Sequence, residues 1–295
     1  MSQGYIVAVS SFVIFGLSPL YWHLLHPVHH EVIIFHRLLM SALLAGTATV
    51  WNSRQSIHNL LPSAGKRFIP VTSILCLSNW GLCIWTINQG YVLDASMAYF
   101  IAPLISIVLA AWRLGERLTA NQKHSIAFLT TVICVRAFTA GESFGLLLSL
   151  GIAATFSLYG YVGKSITAPI YTRLFWECLV GLSVILSFKP HVVEGLFLYQ
   201  PSHLAKLLMC TGPATLIPLG LYVWGTRLMP LSSLSILQYI CPTLMFFLGW
   251  GYFQQETSWG DLTFYLGIWL GVAYYIFNPV HRWRTVRQTW VTPRA

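Results

Sequence analysis

The hydrophobic residues of this chain fall into ten blocks, separated by short segments that are polar or contain proline and glycine. Each block is about 18 to 23 residues long, the length that a helix rising 1.5 Å per residue needs to cross roughly 30 Å of hydrocarbon. The pattern therefore predicts an all-α, polytopic membrane protein. Its ten transmembrane helices are predicted at residues 4–25, 31–51, 69–89, 94–112, 122–139, 144–163, 171–188, 204–226, 232–253 and 260–279.

The composition agrees with a membrane protein and argues against soluble classes. Only 8% of the residues are charged and 56% are hydrophobic, whereas soluble domains contain about 25% charged residues. The net charge of +9 does not indicate nucleic-acid binding, because the basic residues lie between the blocks and form no contiguous stripe. The six cysteines all lie inside the blocks and form no CxxC pair, so no disulfide, metal or other cofactor is expected.

The positions of Lys and Arg near the block ends predict the orientation, because positively charged loops stay in the cytoplasm. Most of these residues fall in segments on the same side as the N-terminus, and only Lys189 and Lys206 fall on the other side. We therefore expect a protein of the bacterial inner membrane with both termini in the cytoplasm. Residues 281–295 would form a basic cytoplasmic tail that lies against anionic lipid headgroups.

An internal repeat divides the chain into two halves. At a constant separation of 139 positions, several residues recur as the same type. They are Leu77, Gly81, Leu82, Trp85, Ser96, Ile101, Pro103 and Leu109, which recur as Leu216, Gly220, Leu221, Trp224, Ser235, Ile240, Pro242 and Leu248. Because five helices is an odd number, the second half would cross the membrane in the opposite sense. We expect an inverted 5+5 repeat, with one half at 1–139 and the other at 140–280.

Inverted repeats place a substrate site near the bilayer midplane and alternate access to it by rocking of the two halves. Pro103 and Pro242 lie at equivalent positions in the middle of the fourth and ninth predicted helices, where paired bends would act as hinges. Alternatively, the two prolines only shape the bundle, because membrane helices tolerate proline.

Several short strings carry a family resemblance. In the first half they are His36-Arg37, Asn79-Trp80, Ala95-Ser96, the residues around Pro103 and Leu114-Gly115-Glu116-Arg117; in the second half they are Thr226-Arg227-Leu228, Gln238-Tyr239-Ile240 and the five residues from Pro242. These strings resemble the RarD group of EamA-type transporters, within the drug/metabolite transporter superfamily. The resemblance covers nearly the whole chain and implies a ten-helix permease or exporter of amino acids, metabolites or drugs. Small multidrug-resistance relatives carry an essential carboxylate in the first helix, whereas residues 4–25 contain no Asp or Glu; proton antiport by that route is not expected.

Polar side chains inside hydrocarbon are candidate substrate ligands, because each is costly unless it is satisfied. His36 and Arg37 lie near the outer end of the second predicted helix, where the guanidinium would meet an anionic group of the substrate. Alternatively, Arg37 extends to the outer headgroups or pairs with Asp94 or Glu31.

The third predicted helix carries a second group of candidates. Asn79 lies at its middle, and Trp80, Trp85 and Asn88 follow along it. An amide beside large aromatic faces suits a solute with one polar and one flat apolar part, although Asn79 equally suits a hydrogen bond between helices. The remaining candidate ligands lie on the fourth, sixth and ninth helices and are Tyr99, Tyr159, Gln238 and Tyr239.

Glu177 is the clearest carboxylate within a predicted helix. In apolar surroundings it would take up a proton and act as a proton carrier. Arg173 precedes it by four residues on the same helical face, which favours a structural ion pair instead. The run His23, His26, His29 and His30 is interrupted by Pro27 and favours an external polar turn over a zinc site.

These features favour a secondary transporter that moves a small solute across the inner membrane by alternating access. A channel would need a continuous polar lining, which the few polar residues in the blocks do not provide. An intramembrane enzyme is not supported, because the sequence has no GxSxG, HExxH or P-loop motif. We expect a monomer or homodimer; the sequence leaves proton coupling, direction and substrate open.

Overall fold

The computed structural model describes residues 2–53, 67–88, 92–140, 143–194, 202–254 and 257–276. Over these ranges the chain forms only helices and the turns that connect them, which confirms the all-α fold class. The α-helices are α1 (Ser2–Leu24), α2 (His30–Ser53), α3 (Ile69–Asn88), α4 (Val92–Arg113), α5 (Ala120–Ala140), α6 (Ser143–Gly163), α7 (Ile170–Phe188), α8 (Ser202–Leu228), α9 (Leu231–Leu237), α10 (Ile240–Gly251) and α11 (Trp259–Ile276), and a 3-10 helix, Pro190–Glu194, follows α7. The predicted tail at 281–295 lies outside the described residues.

Six segments of the described chain are long and apolar enough to cross a membrane. They are Gln3–Leu24, His30–Trp51, Phe144–Gly163, Ile170–Phe188, His203–Leu228 and Leu231–Gly251, and α3 and α4 add the shorter apolar stretches Ile69–Cys83 and Met97–Arg113. Large aromatic side chains such as Phe138 and Phe188 remain exposed. Exposed apolar surface of this kind suits contact with lipid rather than with water.

The ninth predicted helix is interrupted within its span. The sequence predicts one bent helix over 232–253, whereas the structure forms α9 and α10 with a turn at Gln238 and Tyr239 between them. Pro242 has no N–H to donate to the carbonyl of Gln238, and that carbonyl accepts from the Cys241 N–H at 3.0 Å instead. By contrast, α4 continues without a break through Pro103. The two prolines therefore have different local effects.

The main packing contacts join helices from opposite halves of the chain. α1 packs against α8 and α10, and α6 packs against α3 and α4. α2 packs against α7 and α8, α3 against α7, α4 against α9, and α5 against α11. The two halves are consequently interleaved, and a side chain that points inward from one half meets helices of the other.

Gly212 marks the closest approach of α8 to α2. A Cβ atom at this position would lie 2.8 Å from the carbonyl carbon of Met40 and 2.9 Å from its oxygen. Because both atoms belong to the backbone, no rotation of a side chain can relieve the contact. Gly81 of α3, in contrast, has no atom within 4 Å of its ideal Cβ position.

We expect Gly212→Ala to lower the melting temperature of the purified protein, because α2 and α8 must separate at a cost of about 1–3 kcal/mol. Gly81→Ala is the matched control, and it should leave the melting temperature unchanged or raise it slightly, since alanine favours a helix over glycine by about 1 kcal/mol. The melting temperatures of the two variants can be compared by heating samples and measuring the remaining folded protein by size-exclusion chromatography. Equal melting of the two variants would contradict the close approach.

Candidate substrate-binding site

Arg37 reaches the centre of a junction of four helices. Its Cζ atom lies 4.4 Å from the ring centroid of Trp22 and 4.1 Å from that of Trp80, so the guanidinium makes a cation–π contact with each of two indole rings. Its Nε donates a hydrogen bond to Oγ1 of Thr215 at 3.1 Å. These partners belong to α1, α3 and α8, while Arg37 itself belongs to α2.

The charge of Arg37 is not neutralised within the described part of the chain, where none of the ion pairs within 4.0 Å includes it. Glu31, one of the two partners considered from the sequence, instead lies 3.0 Å from Lys189 and 3.3 Å from His191. The side chain of Asp94, the other partner considered, lies outside the described residues. In the described chain, the hydrogen bond of Nε is the only one that the guanidinium makes, and the two terminal nitrogens donate none.

Tyr99 extends this environment towards α4. Its hydroxyl lies 3.7 Å from Sγ of Cys83, which is on α3 as Trp80 is. Both groups lie close enough to Arg37 to interact with it electrostatically. The surroundings of the guanidinium therefore combine two indole rings with small, weakly polar groups.

The carboxylate of Glu177 accepts three hydrogen bonds from side chains. Its Oε1 accepts from Nε of Arg173 at 2.7 Å and from the Thr72 hydroxyl at 2.6 Å, and its Oε2 accepts from the Tyr159 hydroxyl at 3.0 Å. Arg173 also donates to the Gly163 carbonyl at 3.1 Å. Both charged side chains are at least 95% buried. Three donors on one carboxylate, one of them Arg173 itself, favour a structural ion pair over proton carriage.

Asn79 ties α3 to α6. Its amide nitrogen donates to the carbonyl of Ile152 at 2.8 Å and to the hydroxyl of Thr155 at 3.1 Å. Both hydrogens of the amide are thus used between helices, which favours the interhelical role considered from the sequence. The amide oxygen makes no hydrogen bond within the described residues.

We expect Asn79→Ala to lower the melting temperature, because two hydrogen bonds between α3 and α6 are lost at a cost of about 1–2 kcal/mol. Thr155→Val removes one of the two acceptors and should cost less. The double variant should melt at nearly the same temperature as Asn79→Ala, because the hydrogen bond between Asn79 and Thr155 is already lost in that single variant. If Asn79→Ala abolished transport while melting like the wild type, a direct role in substrate binding would be favoured instead.

Three other predicted ligands lie in two different environments. Tyr239 is buried and donates its hydroxyl to the Phe100 carbonyl at 3.1 Å, and Gln238 is buried beside it at the turn between α9 and α10. His36 is buried and contacts the carbonyl of Val32 through Nδ1 at 2.9 Å. These contacts are internal to the helix bundle, and we do not assign these residues to the group around Arg37.

Trp85 lies apart from this group as well. Its side chain is 44% exposed, and its ring packs against Phe144 at a centroid distance of 6.4 Å. The side chain of Asn88 lies outside the described residues. Within the histidine run, the ring of His23 packs against Phe253, with the two ring centroids 5.2 Å apart.

Several contacts of the buried and half-buried arginines could not be predicted from the sequence. Trp22 and Thr215 complete the group around Arg37, yet no spacing rule connects residues on α1 and α8 with one on α2. Arg136 had no partner identifiable from sequence, and it pairs with Asp261 at 2.7 Å. Asp261 also accepts a hydrogen bond from the Ser258 hydroxyl at 2.7 Å, in a capping box at the start of α11.

Glu116 connects the turn after α4 to the start of α9. Its Oε1 accepts from the Leu231 N–H at 2.8 Å, and its Oε2 accepts from the N–H and hydroxyl of Ser232 at 3.0 and 2.6 Å. The carboxylate thereby satisfies two of the backbone donors that a helix start leaves free.

Two basic side chains add further connections on the same face. Lys164, in the turn after α6, donates to the carbonyl of Met229 at 3.1 Å. Arg227, at the end of α8, donates to the carbonyl of Ala168. The turns that follow α4, α6 and α8 are therefore tied together on the face where α1 begins.

Comparison with known proteins gives this architecture a family. Residues 2–136 match the EamA-like transporter family. The protein RarD of Streptomyces exfoliatus is 32% identical over 258 residues, which cover 85% of this chain and 81% of that protein. The protein RarD of Salmonella typhi is 29% identical and covers 96% of this chain and 97% of its own. An uncharacterized transporter of Vibrio cholerae is 30% identical over 83% of this chain and 82% of its own.

A solved crystal structure has the same fold. Its chain is only 13% identical, but it superposes with a TM-score of 0.72 over 93% of this chain and 97% of that one. The apolar helices and the relatives named as transporters together identify a multi-pass membrane transporter. At 32% identity over most of both proteins, this chain belongs to the EamA-like transporter family, in its RarD group.

Proposed function

We propose that this protein is a secondary carrier of the bacterial inner membrane that moves a small organic solute by alternating access. The observation that carries the proposal is the group around Arg37, in which helices from both halves of the chain surround a charge that has no ion-pair partner within the described residues. An inward-facing charge of this kind is costly in a membrane protein and is usually functional.

An inverted 5+5 repeat with halves at 1–139 and 140–280 is part of this proposal. The helix neighbours support it, because α1 packs on α8 and α10 as α6 packs on α3 and α4. Phe100 and Tyr239, which are separated by the repeat distance of 139, contact each other at a centroid distance of 6.4 Å. Two equivalent positions touch each other when both lie near the axis that relates the two halves.

The proposed cycle places both termini in the cytoplasm, as the Lys and Arg distribution favours. The connections made by Glu116, Lys164 and Arg227 then lie on the cytoplasmic side. They would close that side of the bundle, and rocking of the halves would break them. A carrier of this kind is favoured over a channel, because indole faces cover the guanidinium where a channel would need an open polar lining.

Counterflow in proteoliposomes tests the proposal. Purified protein is reconstituted, the vesicles are loaded with an unlabelled metabolite, and uptake of the same labelled metabolite is followed across a panel of small organic solutes. A carrier gives transient accumulation above the outside concentration for at least one solute. Flux that never saturates and shows no counterflow would favour a channel, and absence of flux for every solute would overturn the proposal.

A further inference from the structure

We infer that the transported solute carries a single carboxylate group, which binds the two terminal nitrogens of Arg37. The inference rests on the proposed carrier function and adds a substrate class to it. Three observations support it: the depth of the guanidinium, its unused donors and its missing counter-charge.

The depth of the Arg37 guanidinium within the bundle argues against a purely structural arginine that extends to the headgroups. Arg37 lies two turns from the start of α2, yet Thr215 lies in the middle of α8 and Trp80 in the middle of α3. The side chain therefore points towards the interior of the bundle. An arginine that avoided the membrane interior would extend the other way.

The unused donors define the shape of the missing ligand. Nε is occupied by Thr215, and the rings of Trp22 and Trp80 lie 4.4 and 4.1 Å from Cζ. The two terminal nitrogens make no hydrogen bond within the described residues, and a planar guanidinium presents their N–H groups in parallel along one edge. A carboxylate accepts such a pair with two parallel hydrogen bonds, which is the arrangement that a planar guanidinium favours.

The missing counter-charge sets the charge of the ligand. In contrast to Arg37, Arg136 and Arg173 each lie 2.7 Å from a carboxylate oxygen of this chain. Within the described residues the positive charge of Arg37 has no counter-charge, and one carboxylate on the solute would neutralise it. A monocarboxylate therefore fits better than a dicarboxylate or a phosphate dianion, which would bring a second charge among indole rings and weakly polar groups.

Matched pairs of acids and amides test the inference on the purified full-length protein. The probes are acetate, benzoate and phenylacetate, each compared with acetamide, benzamide or phenylacetamide, which have nearly the same shape without the charge. Melting temperature is measured against probe concentration, because a ligand that binds the folded protein raises it. We expect at least one acid to raise the melting temperature while its amide does not.

Variants then assign the effect to one side chain. Arg37→Gln should weaken binding of the active acid by more than about tenfold. Arg37→Lys keeps the charge but not the paired donors, and should weaken it less. Arg113→Gln is the matched control, since Arg113 also lies over an indole ring, that of Trp112 at 4.2 Å, but is exposed; it should bind like the wild type.

The outcomes separate the inference from the proposed function. If no acid raises the melting temperature of the wild type beyond its amide, or if the effect persists in Arg37→Gln, the carboxylate inference is overturned. The comparison of acids with amides needs only the wild-type protein. It therefore tests the inference even if an Arg37 variant fails to fold. Counterflow of a neutral or cationic solute would then support the proposed carrier function while the carboxylate inference fails. Binding of an acid without counterflow of any solute would support a carboxylate site at Arg37 and contradict the proposed carrier function.

Discussion

Replacing Glu177 with leucine is expected to destabilise the folded protein by about 3–5 kcal/mol, because the partner Arg173 would remain as an unpaired buried charge. Arg173 is 1% exposed, and Glu177 supplies its only carboxylate within the described chain, at 2.7 Å. The loss also leaves the Thr72 and Tyr159 hydroxyls without their acceptor. A large fall in melting temperature and in the yield of monodisperse protein should result.

Removing both charges provides the control for this prediction. The double variant Arg173→Met/Glu177→Leu takes away the pair as a unit, and apolar replacement of a buried pair is often neutral or stabilising. We expect it to recover most of the melting temperature lost in Glu177→Leu. If Glu177→Gln melted like the wild type and removed only the dependence of transport on a proton gradient, the result would contradict the structural pair and support Glu177 as a proton carrier.

The helices could be predicted from sequence because the length of an apolar block is set by the bilayer itself. α1 to α8 lie where the blocks predict them, since each block had to satisfy its backbone within one helix. The interruption at Gln238 and Tyr239 was not predicted. Pro242 gave a reason for a bend, but Pro103 offers the same local chemistry in a helix that stays continuous. The hydrophobic pattern of the sequence therefore does not distinguish a proline within a continuous helix from one that follows a break.

The candidate site could be predicted only in part, for a related reason. Arg37 stood out because a charge inside hydrocarbon is rare. Its hydrogen-bond partner Thr215 is 178 residues away in the chain, and threonine is unremarkable in a membrane helix. Asn79 shows a second limit: the sequence left open whether its amide binds the solute or a neighbouring helix, and only the structure shows that α6 supplies two acceptors for it.

A covalent link between positions 116 and 232 is expected to stop transport almost completely. Glu116 and Ser232 contact each other at 2.6 Å between the turn after α4 and the start of α9. A cap at a helix start contributes about 0.5–2 kcal/mol, which is small enough to be released in each transport cycle. A short bis-methanethiosulfonate reagent, which replaces the reach of the glutamate side chain, would join Glu116→Cys to Ser232→Cys by a link that the cycle cannot release, so a carrier that must open this face would be held closed.

Treatment of the double-cysteine variant in proteoliposomes with the bis-methanethiosulfonate reagent should reduce counterflow of an identified solute at least about tenfold, and reduction should restore it. The wild type with the same reagent is the control, because it contains six cysteines that are all free, Cys76, Cys83, Cys134, Cys178, Cys210 and Cys241. Each single-cysteine variant should also keep its activity after the same treatment. Full counterflow in a fully cross-linked sample, with the link verified by mass spectrometry, would mean that this face does not open. The solute would then pass without separation of α9 from the turn that holds Glu116. Rocking of two inverted halves requires that separation, so this result would contradict the proposed mechanism.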